Sequence, residues 1–412
     1  MRRRLARLTL ATLAVLAAGC ASAPDWERAG AQRVGDADLA AVYGGGPDGR
    51  SASGRGRRWS GSVTAVAAPR PALPHGRLQL PAVSPDGNRV ACLTQGGDAA
   101  RPESLLTGRN LVGTALRVRA IDVEGDGTPI ASGGVCWPAW SPDGNTLYFI
   151  EYDEQLGCTL GVHDAASGTT RRKGVGLQRM FSPAPRPGGG TKVVAVSAYG
   201  NVPDDALVFL IDVDRGVAEP GPPPSSASAS AQVAPVWLNP QTLLYVELGS
   251  DAGHASLRQW RVGSDTTDRV ADLGGALTVY DAPALLAGIG APLSPGRDRL
   301  ALYRPDRNRT ELIPLDRGPV RPLTAGSQSG AWWDTRWWAL ATADGTELVS
   351  TITPDRGPGD RGDRLSLLPG RWAPVWVQPT ADTDGKSMLL VGPGATPDTL
   401  SLMQLWLVVK GE

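Results

Sequence analysis

A short reversal recurs along this chain and leaves few folds open to it. In its fullest form it reads Pro138-Ala139-Trp140-Ser141-Pro142-Asp143-Gly144-Asn145-Thr146-Leu147-Tyr148-Phe149-Ile150. A bulky residue closes one strand, Ser-Pro-Asp-Gly turns the chain, and an unbroken apolar run begins the next strand. Proline presets φ for the first corner, aspartate bonds its own backbone, and glycine takes the left-handed conformation that closes a short hairpin. The run Leu147 to Ile150 is aromatic and β-branched with no polar alternation, which predicts a strand covered on both faces.

Worn copies follow the same order. Leu80 to Asn88 leads into Arg89-Val90-Ala91-Cys92-Leu93 and, after a long loop, Leu116 to Val123. The motif at Pro138 is completed by Thr159 to Asp164. Met180-Phe181-Ser182-Pro183 opens a third unit with Val193 to Val196 and Leu207 to Val213, and Pro235-Val236-Trp237-Leu238-Asn239-Pro240 opens a fourth. A fifth has Ala291 to Asp298, Leu300 to Tyr303 and Leu312 to Asp316. Weaker units are expected at Trp337 to Leu368 and at Ala373 to Val409, and Pro220 to Ser230 reads as a flexible connection. Fifty-two glycines and thirty-five prolines suit an all-β chain with many turns.

Each unit is a small antiparallel sheet that cannot cover both faces alone; repetition around an axis buries face against face until the ring shuts. The expectation is an all-β fold, a β-propeller of six or seven four-stranded blades over residues 71–412. The pattern Pro-x-Trp-Ser-Pro-Asp-Gly, an apolar strand, a strand ending in Asp, and Pro322-Leu323-Thr324 resembles the WD40-like (PD40) repeat of TolB-type propellers. The resemblance covers about Leu78 to Glu412. It implies the fold but not TolB's partners, since the additional N-terminal domain of that family has no counterpart in this sequence. Lipid-anchored propellers of the LpqB type are similar more distantly.

The N-terminus reads as an address. Arg2, Arg3, Arg4 and Arg7 precede the apolar Leu8 to Ala18, which is too short for a stable membrane span. Leu16-Ala17-Ala18-Gly19-Cys20 resembles the bacterial lipobox, so residues 1–19 are expected to be a cleaved signal peptide and Cys20 the lipidated residue. Residues 20–70, rich in Gly, Ala, Arg and Ser, read as a flexible tether, with Trp59 to Ala67 a candidate closing strand through Val63 and Val66. The expected location is the cell envelope, outside the cytoplasm: the outer membrane facing the periplasm where the host has one, otherwise the outer face of the cell membrane. Lys+Arg and Asp+Glu both number 41, so bulk charge draws the chain to neither nucleic acid nor anionic lipid.

Chemistry is sparse. His75, His163 and His254 fall in separate units without metal-ligand spacing, and His163 reads as a packed structural residue. Gly326-Ser327-Gln328-Ser329-Gly330 has glutamine where a nucleophile elbow needs serine. Asp86 and Asp143 belong to turns. Asp122 to Gly127 resembles the start of a calcium loop but has Gly133 at the twelfth position, and Arg361-Gly362-Asp363 lies in a loop full of those residue types. Cys92, Cys136 and Cys158 read as buried small hydrophobes, with another strand expected between the last two. No catalytic, cofactor or metal residue is assigned. The expected function is a monomeric, membrane-anchored module, alone or within an envelope complex, binding an envelope protein, peptide or glycan. The alternative is a lyase or hydrolase with its site at the propeller mouth. The candidate binding surface is Trp332, Trp333, Arg336, Trp337 and Trp338, where indoles on alternate strand faces beside an arginine offer contact area with few rotors to freeze.

Overall fold

The computed structural model describes residues 32–38, 62–74, 79, 81–94, 104–108, 110–111, 113–153, 157–188, 192–226, 228–249, 254–286, 291–325, 330–342, 345–351, 364–370, 372–378, 386–396 and 399–410. They form seven antiparallel sheets, each a blade, and the first six run in chain order from an inner to an outer strand. The second blade is typical: Val135–Trp140, Thr146–Asp153, Gly157–Asp164 and Thr170–Lys173 pair successively. Inner strands of neighbouring blades touch, and Ala373–Val377 of the last blade meets Ala82–Val83 of the first, so the series closes into a seven-bladed β-propeller. Leu147 to Ile150 are all buried, because a middle strand is covered by a blade on each side.

Two blades depart from four regular strands. In the fifth, the inner strand is reduced to a single bridge from Leu293 to Leu300 beside Arg299–Arg304, Arg309–Pro314 and Arg321–Ala325. The seventh has five strands. Ala373–Val377, Ser387–Pro393 and Thr399–Lys410 come from the end of the chain, and Ser62–Pro74 pairs along Thr399–Lys410 from the outside. Gln32–Asp38 then pairs with Ser62–Pro74 as an outermost strand.

The ring is thus clasped by an N-terminal strand that begins eight residues ahead of Arg70, the last residue of the stretch that composition assigns to the tether. Ala65, Ala67 and Ala68 are 1%, 4% and 0% exposed. Alanines give a weak apolar signal in sequence, yet their small side chains let the clasp lie close against its neighbours. Val66, expected in a closing strand, is buried opposite Trp406. The signal segment and Cys20 lie outside the described residues, as do His75 and Arg361 to Asp363. Among the described residues no helix is long and apolar enough to cross a membrane.

Candidate functional site

The two rims of the ring are built differently. One carries the tight turns that join first to second and third to fourth strands. There Ser141 receives the backbone N–H of Thr146 at 2.9 Å and donates its hydroxyl to Asp143 at 2.5 Å, and Asp143 accepts from the backbone of Asn145 at 3.1 Å. The hydroxyl of Ser141 holds the Asp143 carboxyl below its ordinary range. Ser84 and Asp86 repeat the arrangement. In the fifth blade the aspartate moves two places along, and Ser294 reaches Asp298 at 2.6 Å. Gly87 and Gly144 sit at φ +73° and +71°; Arg297 fills the same corner at +54° and donates across to the Leu238 carbonyl of the fourth blade. These carboxylates, as the sequence implies, serve the turns. Asp122 to Gly127 is likewise a strand-to-strand turn, and its Gly125 carbonyl is taken by Arg119 at 2.8 Å. His163 is 5% exposed and meets the Thr170 hydroxyl at 3.0 Å, while burial lowers its pKa.

Tryptophans at the ends of inner strands staple blade to blade. Trp140 donates Nε1 to the Ala82 carbonyl at 3.0 Å, Trp237 to Ala184 at 2.9 Å and Trp332 to Pro292 at 3.2 Å, each reaching the preceding blade. An arginine of that preceding blade covers each indole: Arg89 on Trp140 at 5.5 Å from the ring centroid, Arg186 on Trp237 at 5.9 Å and Arg299 on Trp332 at 5.6 Å. Trp376 closes the circle by donating to Pro85 of the first blade at 3.2 Å. The sequence shows the tryptophans as part of the repeat. It hides their arginine partners, which lie 33 to 51 residues away and look like ordinary strand-edge charges.

This packing corrects the expected tryptophan surface. Trp332, Trp333, Trp337 and Trp338 are 3%, 1%, 3% and 1% exposed. Trp332 and Trp338 meet edge to face at 5.2 Å between centroids, and Lys386 lies over Trp333 at 5.0 Å while donating to its carbonyl. Alternation does send neighbouring indoles to opposite faces, but in a propeller both faces are covered by blades. Of that group only Arg336 is exposed, on the turn where Asp334 accepts its backbone N–H.

The other rim carries the connections from second to third strands and from blade to blade, and there the irregular elements gather. The helical turn Ser104–Thr107 of the first blade lies against Arg179–Pro185 of the third. Its Leu105 carbonyl accepts Trp137 Nε1 at 2.9 Å, and its Leu106 carbonyl accepts the Tyr199 hydroxyl at 3.0 Å. Trp137, Phe181 and Tyr199 form an aromatic row with centroids 6.5 and 6.3 Å apart. Further round, the single turns Pro203–Asp205 and Val279–Asp281 touch one another, and the second runs into the short helix Ala282–Leu285.

Buried polar groups pin these connections. Gln232, 1% exposed, donates its backbone N–H to Ala206 at 2.7 Å, accepts Val208 on its side-chain oxygen at 3.1 Å and donates its side-chain nitrogen to Pro222 at 3.1 Å. Glu247 takes the backbone of Ser225 at 3.1 Å, so the connection that reads as flexible in sequence is anchored at both Pro222 and Ser225. Arg304 is wholly buried. It meets Asp306 at 2.9 and 2.8 Å, Glu311 at 3.2 Å, and the Leu273 and Gly274 carbonyls at 2.6 and 2.8 Å, so each of its five donor hydrogens has an acceptor. Gly275 closes this site at φ +76°, where a Cβ would stand 2.2 Å from the Asp306 carboxylate.

No protein-family model and no curated protein matches the sequence. Solved structures with similar shape include TolB from Acinetobacter baumannii, 16% identical over 69% of this chain and 64% of that one, with a TM-score of 0.44. A putative TolB from Agrobacterium tumefaciens is 17% identical over 60% and 80%, with a TM-score of 0.39. The β-propeller domain of the trilobed protease from Pyrococcus furiosus is 12% identical over 84% and 96%, with a TM-score of 0.45. This chain therefore spans less than two thirds of the Acinetobacter TolB structure. At such identities and scores the likeness concerns fold alone, and the seven sheets establish the fold directly.

Proposed function

We propose that the protein is a lipid-anchored envelope propeller that binds a partner through the rim carrying its long connections. The observation that supports this reading is the contrast between the rims. The carboxylates and hydroxyls of the Ser-Pro-Asp-Gly turns are spent on their own backbone, whereas the opposite rim holds single-turn helices, two of which touch and carry the exposed apolar side chains Val202, Leu207 and Tyr280 in or beside them. Loops fixed on a stiff scaffold are the usual place for binding residues. Anchoring rests on the lipobox-like Leu16 to Cys20, since a diacylated cysteine holds a protein at a membrane where an apolar stretch this short does not.

Site-specific photo-crosslinking in the native cell tests the reading. A crosslinker at the exposed Asn110, on the connection rim, should yield a discrete adduct; one at the exposed Glu124, on the turn rim, should not. Adducts from Glu124 alone, or from neither position, would contradict it. Fatty-acid labelling that survives Cys20→Ser would contradict the anchor.

A further inference from the structure

Two single-turn helices on the connection rim carry an apolar surface that the fold does not use. Val202 is 47% exposed, Leu207 37% and Tyr280 50%. They flank or belong to Pro203–Asp205 and Val279–Asp281, the two turns that touch. Val123 and Val217, the other large apolar side chains exposed to this degree among the described residues, sit apart on the turn rim.

The surface is held stiffly. Gln232 fixes the chain just after the first turn through Ala206 and Val208, and the Ala206 backbone N–H closes that turn on the Pro203 carbonyl at 3.0 Å. In the second, Asp281 accepts the Thr278 backbone at 2.8 Å and hydroxyl at 3.0 Å, and the neighbouring Val279, Ala282 and Leu285 are 1%, 2% and 0% exposed. Tyr280 is therefore turned outward, while Val279 before it and Ala282 after its turn are sunk in the core. A preformed surface gives up little freedom when it binds.

Charge sets the kind of partner. The chain as a whole balances 41 basic against 41 acidic residues, yet residues 199–210 and 273–296 contain Asp204, Asp205 and Asp281 and no Lys or Arg. Asp204 and Asp205 are exposed, and among the described residues no hydrogen bond or ion pair engages their carboxylates. Arg307, which approaches Gly274, is occupied by Glu311 at 2.9 Å, and Arg304 is buried among its acceptors. An apolar patch edged by unpaired carboxylates complements a cation and repels nucleic acid or an anionic lipid surface.

We propose that Tyr280, Val202 and Leu207 form a docking site for a polypeptide segment that presents a bulky apolar side chain beside Lys or Arg, with Asp204 and Asp205 receiving the cations. This rests on the binding reading above and names the chemistry of its partner. Tyrosine supplies contact area with few rotors to freeze, and the two aspartates set register and approach.

The test uses the full chain in detergent micelles and three fluorescent peptides read by anisotropy. One alternates Lys with Leu and Phe, the second replaces each Lys by Glu, and the third replaces Leu and Phe by Ser. The first should bind saturably and weaken with salt; the second and third should bind at least about tenfold more weakly. Tyr280→Ser should weaken the first by about tenfold, the loss expected of a central aromatic anchor. Asp204→Asn with Asp205→Asn should weaken it and flatten its salt dependence. All three side chains are exposed, so thermal unfolding should match the parent and separate lost binding from lost fold. Equal binding of the Lys and Glu peptides, no saturable binding, or variants that bind like the parent would overturn the proposal. If the Asn110 adduct persists in that case, only the partner chemistry fails; if it too is absent, the binding reading fails with it.

Discussion

Burial decides the chemistry of single residues in this ring. Cys92 and Cys158 have their thiols pushed up to about 11 and about 12 by desolvation, burial also raises Cys136 well above its ordinary value, and the Tyr148 hydroxyl is raised to about 12 by the same cause. All three cysteines are free and buried. The folded values lie above those of the unfolded chain, about 8.5 for Cys and 10 for Tyr, so the unfolded chain loses protons first as pH rises. The stability these groups contribute should be complete below about pH 8.5 and should fall as pH climbs towards 11 and 12. Thermal melts from pH 7 to 11 check this, together with thiol labelling at pH 8 that stays negligible until denaturant is added. Rapid labelling of the native protein would contradict the burial. Arg304 offers a sharper case: Arg304→Met leaves Asp306, Glu311 and two carbonyls short of a partner and should destabilise by about 3–5 kcal/mol, read by denaturant unfolding. The sequence shows Arg304 only as one charge in the run Arg304 to Glu311, and nothing local says that its partners include carbonyls of Leu273 and Gly274.

At the scale of elements, what the sequence made legible follows from whether a signal is local. The Ser-Pro-Asp-Gly reversals and their apolar strands were legible because proline, aspartate and glycine act within six residues. The tryptophan stretch was legible as strand but not as core, because its cover comes from other blades and from Lys386. The clasp was half legible, since Val63 and Val66 stand out while the alanines do not. Its importance can be measured by a pair of truncations. Removing residues 21–61 keeps Ser62–Pro74 in place and should leave a folded, protease-resistant ring. Removing residues 21–74 bares the edge of Thr399–Lys410 and should give an aggregating, protease-sensitive product. Equal behaviour of the two would mean that the clasp is dispensable. The outward turn of Tyr280 was not legible at all, because residues 273–286 carry none of the repeat's motifs, and Gln232, Thr278 and Arg304 hold the turn and its neighbour only once the ring is folded.

For the whole molecule, a closed ring gives each blade two covered faces and leaves two rims for everything else. Six of the seven blades are built in the order in which the chain is made, and the seventh waits for the end of the chain to meet Ser62–Pro74. Closure joins residues more than 330 apart, among them the contact of Arg70 with Gln404 at 3.0 Å. That seven blades close in this way is the central claim, and native-state hydrogen exchange tests it most directly. The account predicts that amides of Ser62–Pro74 and Thr399–Lys410 are protected to the same degree as those of Ser387–Pro393 and are released together in a single global opening. Exchange of Ser62–Pro74 at the rate of an unstructured segment, while Ser387–Pro393 stays protected, would contradict it.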